Sequence, residues 1–205
     1  MTDVPVLGSL VLVPAADRPD LLADPVRAAL AASPGATAAG WVCEIDPAVS
    51  DTAALTAAHD VPAAASANCV LVGGRREGVE RLAACLVLAT TRADINGTVR
   101  RLLDVRKASF LDMDRAVGET GMEYGAITPV GLPAGWRLLV DARVAASPLV
   151  LVGAGVRRGK LLLPGAVLAA LPGAEVVDGL AVEVSPQPAG SPQPGVSPQP
   201  AGAGG

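Results

Sequence analysis

Residues 121–133 read GMEYGAITPVGLP and place the chain's single tyrosine among three glycines and two prolines. The run is too irregular for a helix and too rich in glycine for an ordinary strand. It describes a shaped backbone loop. Gly125 lets the chain approach another group closely, and Pro129 fixes a backbone dihedral while removing a donor. Peptide N–H groups between them can be aimed at one point, as an oxyanion or a substrate carbonyl requires. A structural turn between a helix and a strand would use the same residue types, so the loop alone assigns no chemistry.

Three other signals point away from familiar chemistries. GAGVRRGK at residues 153–160 has one residue too many between Gly153 and Gly159 for a nucleotide phosphate loop, and Leu161 stands where a magnesium-binding hydroxyl is needed. Arg158 takes the place of the third glycine of a dinucleotide fingerprint. The stretch reads instead as a hairpin turn carrying two arginines and a lysine. His59 is the sole histidine and falls near a predicted helix end, where it complements the dipole. Cys43, Cys69 and Cys85 each sit in an apolar run with no CxxC pair, as buried reduced thiols do. Neither a metal nor a cofactor is called for.

The elements that must position these residues alternate along the chain. VLGSLVLV predicts a first strand, and RPDLLADPVRAALAA a helix that Pro25 breaks or restarts. AGWVCEI is a strand, and Ser50/Asp51 caps a helix through TAALTAAH. ANCVLVGG and RLAACLVLATT flank the turn GGRREG as a hairpin. Asp94 caps INGTVRRLL; RKASF is a short strand; a helix starts at Asp112 and ends at Gly121. After the loop come the strand WRLLVD, the hairpin PLVLVGAGVRRGKLLL, a helix begun by Pro164 and the strand AEVVDGL. Six to eight short strands among irregularly spaced helices predict a mixed α/β sheet or barrel of the α+β class. With 51% hydrophobic but 2% aromatic residues, the core is built from Leu, Val, Ala and Ile.

Charge divides the chain. Residues 1–74 carry a net −6, residues 75–160 a net +5 and residues 161–205 a net −3. Such a basic middle can face an anionic partner, RNA included, or be a solvated arginine-rich surface. From Ser185 the repeat SPQP occurs three times with no charged residue, which predicts a disordered tail over 185–205. The start has no basic n-region, and no apolar run reaches membrane-spanning length, so the expected address is cytoplasmic, with no membrane partner.

RADINGTVRRLLDVRKASF, ETGMEYGAITPVGLP, LLVD and LVLVGAGVRRGKLLLP, in that order, resemble the YbaK-like, prolyl-tRNA-synthetase-associated editing domains over roughly residues 60–180. The resemblance implies a mixed β-barrel-type sheet flanked by short helices. It also implies hydrolysis of the ester joining a wrong amino acid to the 3′ end of a tRNA. The chain then divides into an N-terminal segment 1–60 packed on the domain, the editing domain 61–184 and the tail.

Carried over residue by residue, the glycine-to-proline loop puts Gly125, Ala126, Ile127, Thr128 and Pro129 at the aminoacyl pocket. Asp141 matches the family's aspartate after the next strand, and Gly153, Gly155 and Lys160 match its glycine-rich hairpin. Where family members place a substrate-contacting lysine at a strand start, this chain has Asn68; neither Lys107 nor Lys160 occupies that position. The expected catalytic set is Asn68, Gly125, Thr128 and Asp141, with Arg75, Arg76, Arg157 and Arg158 on tRNA phosphates. The expected partners are the tRNA acceptor end and an aminoacyl-tRNA synthetase. Two alternatives stay open: a non-catalytic module binding aminoacyl, tRNA or protein ligands, and an α/β domain with an unrelated small-molecule role.

Overall fold

The hairpin around Glu77 and Gly78 sets the frame. Both residues have positive φ, 53° and 80°, which gives a two-residue turn whose twist matches that of the strands it joins. It aligns two ten-residue strands from Ala67↔Leu88 to Arg76↔Val79. From Ala83 to Val87 the second strand exposes neither face: Ala84 and Leu86 enter one apolar cluster, and Ala83, Cys85 and Val87 another. This explains its unbroken AACLVL run.

A computed structural model describes residues 4–184; the tail predicted over 185–205 lies outside the described residues. In chain order the elements are β1 (Val13–Pro14), α1 (Asp24–Ala31), α2 (Pro34–Ala39), β2 (Trp41–Glu44), α3 (Thr52–His59), β3 (Ala67–Arg76), β4 (Val79–Leu88) and β5 (Thr91–Ala93). A π-helical turn at Ile95–Val99 leads into α4 (Arg100–Leu103). Then follow β6 (Ala108–Phe110), α5 (Met113–Thr120), β7 (Arg137–Asp141), α6 (Ala142–Ala145), β8 (Val150–Gly153), β9 (Gly159–Leu163), α7 (Gly165–Ala169), β10 (Ala174–Val177) and β11 (Ala181–Glu183).

The strands form a four-stranded sheet β1-β2-β9-β8, a five-stranded sheet β10-β7-β4-β3-β6 and the pair β11-β5. The architecture is mixed α+β, as expected, but the described sheets do not close into a barrel. The main apolar cluster lies between the two larger sheets, with Val42, Val152 and Leu161 meeting Leu71, Leu86 and Val140. Leu55 of α3 covers the outer face of the first sheet and Leu103 of α4 that of the second. No helix of the described residues is long and apolar enough to cross a membrane.

Local signals account for most element starts. Asp51, Asp94 and Asp112 cap their helices by accepting backbone N–H bonds. Pro25 starts α1 rather than breaking it. The strand expected at VLGSLVLV is reduced to Val13–Pro14. Gly8 turns the chain at φ 55°, and Ser9 N–H bonds to the His59 carbonyl at the end of α3. Leu10 and Leu12 are buried there without strand pairing.

Candidate active site

The two sheets meet at a seam. Ser66 bridges Leu151 of β8 in parallel fashion, whereas β6 joins β3 only over Val72–Gly74. Between these contacts the free edge of β3 borders a hollow of about 860 Å³. Asn68, Cys69 and Leu71 of β3 form one wall, Val152, Gly153 and Lys160 of the β8–β9 hairpin another.

Lys160 is buried, and its Nζ donates to the Ser50 carbonyl at 2.7 Å. Burial holds its pKa below the ordinary lysine value; Arg157 pushes the same way, while Cys43 and Asp51 oppose. Burial also raises the Cys43 thiol to about 11. The Thr52 hydroxyl donates to the Asn68 side-chain carbonyl at 2.9 Å. The Asn68 NH₂ donates to no group of the described residues, and Asn68 lines the hollow. Ser66 also lines the space, and its buried Oγ has no partner among the described residues.

The loop closes the remaining side. Glu123 N–H donates to the Gly155 carbonyl and Gly155 N–H to the Ala126 carbonyl, at 2.8 and 2.9 Å. The Glu123 carboxylate also accepts from Arg157 N–H at 2.6 Å. A Cβ on Gly153 would collide with the Ala126 carbonyl, so only glycine lets β8 run this close beneath the loop. Gly125 has φ 84°, and the Arg157 guanidinium lies over it. Ala126 N–H is spent on the Glu123 carbonyl. The amides of Gly125, Ile127 and Thr128 donate to no group of the described residues, and Gly125 and Ile127 line the hollow.

The structure therefore brings together Asn68, Gly125, Ile127, Gly153, Lys160 and Arg157. It does not place the other expected residues on these walls. Asp141 caps α6 and is engaged by Arg143 Nε at 2.8 Å and by the Ala181 amide at 3.0 Å. Burial pushes its pKa up, but these bonds outweigh burial and hold the carboxyl below the usual range. Ala126 and Thr128 are buried behind the loop, and Thr128 Oγ1 has no partner among the described residues; Pro129 is buried as well.

Gly155 ties the loop from beneath. Arg75 and Arg76, at the β3–β4 turn, pair with Glu80 and with Asp104 and Glu77. Arg158 pairs with Asp20 and Glu44. Sequence reasoning missed Ser66, Thr52, Phe110 and Tyr124, all of which line the hollow. The capping motif located Thr52 but gave no reason to aim it at Asn68, and nothing marked Ser66.

Known proteins share this fold. The aminoacyl-tRNA editing domain family matches residues 46–171, more than half of the chain. The chain belongs to that family. A structure named as a candidate trans-editing enzyme for prolyl tRNA synthetase is 22% identical, with TM-score 0.63, covering 77% of this chain and 97% of that one. A scaffold protein from computational epitope grafting is 23% identical, TM-score 0.64, covering 76% and 95%. A hypothetical protein is 20% identical, TM-score 0.61, covering 69% and 90%. These likenesses establish a shared fold. No curated protein matches the chain. The matched segment begins just after β2, so β1 and β2, which complete the β8–β9 sheet, lie outside it.

Proposed function

We propose that this editing domain is an aminoacyl-tRNA deacylase that acts in trans, in the cytoplasm, on a mischarged tRNA. The observation that carries the reading is the convergence of β3, the glycine loop and the β8–β9 hairpin on one hollow, lined by a buried lysine and by Gly125 and Ile127, whose amides donate to no described group. Water attacks the ester carbonyl carbon, and the carbonyl oxygen gains negative charge. The amides of Gly125 and Ile127 donate to that oxygen, and the Lys160 ammonium adds positive potential in a poorly solvated space. The Asn68 NH₂ holds a substrate carbonyl or hydroxyl. When the acyl C–O bond breaks, the ribose oxygen takes a proton. The amino acid leaves as a carboxylate, and the tRNA keeps a free terminal hydroxyl. Lys160 thus puts a cation in the hollow although it does not align with the family's strand-start lysine.

Arg157 provides a contact for a terminal phosphate; Arg75, Arg76 and Arg158 would have to exchange carboxylate partners to do so. A panel of mischarged tRNAs incubated with and without protein tests the proposal. Faster ester loss for at least one pair supports it, and equal rates for all pairs refute it. Asn68 at the lysine position favours a second reading, a module that binds the charged 3′ end without turning it over. Binding of charged tRNA without hydrolysis would select that reading.

A further inference from the structure

Phenylalanine and tyrosine each occur once in this chain. A core so poor in aromatics would gain about 1.5–3 kcal/mol by burying either one. Yet Phe110 is 64% exposed and Tyr124 is 56% exposed, and both line the hollow. They come from different elements. Phe110 ends β6, where it pairs with Val72 and is followed by the Leu111 N–H bond to the Leu71 carbonyl, 3.0 Å. Tyr124 sits between Glu123, tied to Gly155 and Arg157, and Gly125 at the loop's left-handed turn. Both backbones are pinned, which fixes the points from which the two rings project.

Arg157 and Lys160 put two cations on these walls against the one carboxylate of Asp51. The Arg157 guanidinium bonds to the Pro47 carbonyl and forms no ion pair among the described residues. Arg106 and Lys107, before β6 and outside the walls of the hollow, are exposed and likewise pair with no described carboxylate. Flat apolar faces beside cations suit an unpaired nucleobase with its phosphates, since every base offers a π-face for stacking.

We propose that Phe110 and Tyr124 form a stacking platform for the unpaired terminal bases of the tRNA acceptor end, holding the RNA while the ester enters the hollow. This rests on the deacylase reading for the identity of the RNA, but base stacking can be measured without turnover. The test uses an uncharged RNA minihelix with a single-stranded 3′ end carrying terminal 2-aminopurine, and the same helix with a blunt end.

The wild-type protein is expected to bind the overhang form more tightly and to quench its fluorescence. Phe110→Ala and Tyr124→Ala should each weaken binding on the order of tenfold and remove quenching, while Phe110→Trp retains both. Both rings are exposed, so the variants should keep the parent melting temperature. If the wild type hydrolyses mischarged tRNA, the same two alanine variants should raise KM with kcat little changed. Equal binding of blunt and overhang forms, or alanine variants that bind and quench like the parent, would overturn the platform. Those results would leave deacylation by the wild type standing; absent hydrolysis with intact quenching would instead defeat the deacylase reading alone.

Discussion

Lys160 concentrates the electrostatics of the site. Its depressed pKa comes mainly from burial, so its charge is lost at a pH below the ordinary lysine value near 10.4. Enzyme-dependent deacylation should therefore fall on the alkaline side below that value, and Lys160→Gln should abolish this limb along with most activity. The check is a pH–rate profile corrected for spontaneous ester hydrolysis.

Thr128 and Asp141 test the opposite expectation, that they act through structure. The Thr128 hydroxyl is buried without a partner among the described residues, at a cost of about 1–3 kcal/mol. Thr128→Val should raise the melting temperature, by roughly 2–4 °C per kcal/mol, with deacylation retained. Asp141→Asn should destabilise by about 3 kcal/mol at neutral pH, the low end for a buried pair, because Arg143 stays partly open to water. The native carboxyl is depressed, so its contribution is complete above about pH 4 and disappears as pH falls through its folded pKa. The gap between variant and parent should narrow in acid, as denaturant titrations at two pH values would show.

Among the elements, the loop and β8 act as one piece because Gly153 permits their contact. Gly153→Ala should cost about 1–3 kcal/mol, since the obstruction is a backbone carbonyl rather than a flexible side chain. It should lower deacylation by tenfold or more by lifting the loop amides off their target. Gly118→Ala in α5, where nothing lies within 4 Å of the added atom, should stabilise the helix and leave activity alone. Thermal melts and deacylation rates on both variants make the comparison.

Elements specified by neighbouring residues were legible in the sequence: the β3–β4 hairpin, the aspartate caps and the glycine end of α5. Those requiring distant partners were not. β5 exists because it pairs with β11 about ninety residues later, and VLGSLVLV finds no pairing partner until Val13 despite its apolar pattern. The site divides the same way. Family-like motifs marked Asn68, Gly125 and Gly153, whereas Ser66 and the Thr52–Asn68 bond arise only when α3 packs against the start of β3.

Over the whole molecule, the decisive feature is the seam where two sheets touch at Ser66–Leu151 and then separate. The acidic N-terminal region completes the first sheet through β1 and β2, and its Asp20 and Glu44 hold Arg158. The separation leaves the strand edge, Gly125 and Ile127 of the loop and Lys160 lining a common space. The most direct measurement is a crystal structure with a non-hydrolysable 3′-aminoacylamido-adenosine. Density for the aminoacyl amide between Asn68, Gly125 and Lys160 is the predicted result. A clearly bound analogue elsewhere on the surface, with the hollow holding solvent alone, would contradict the account.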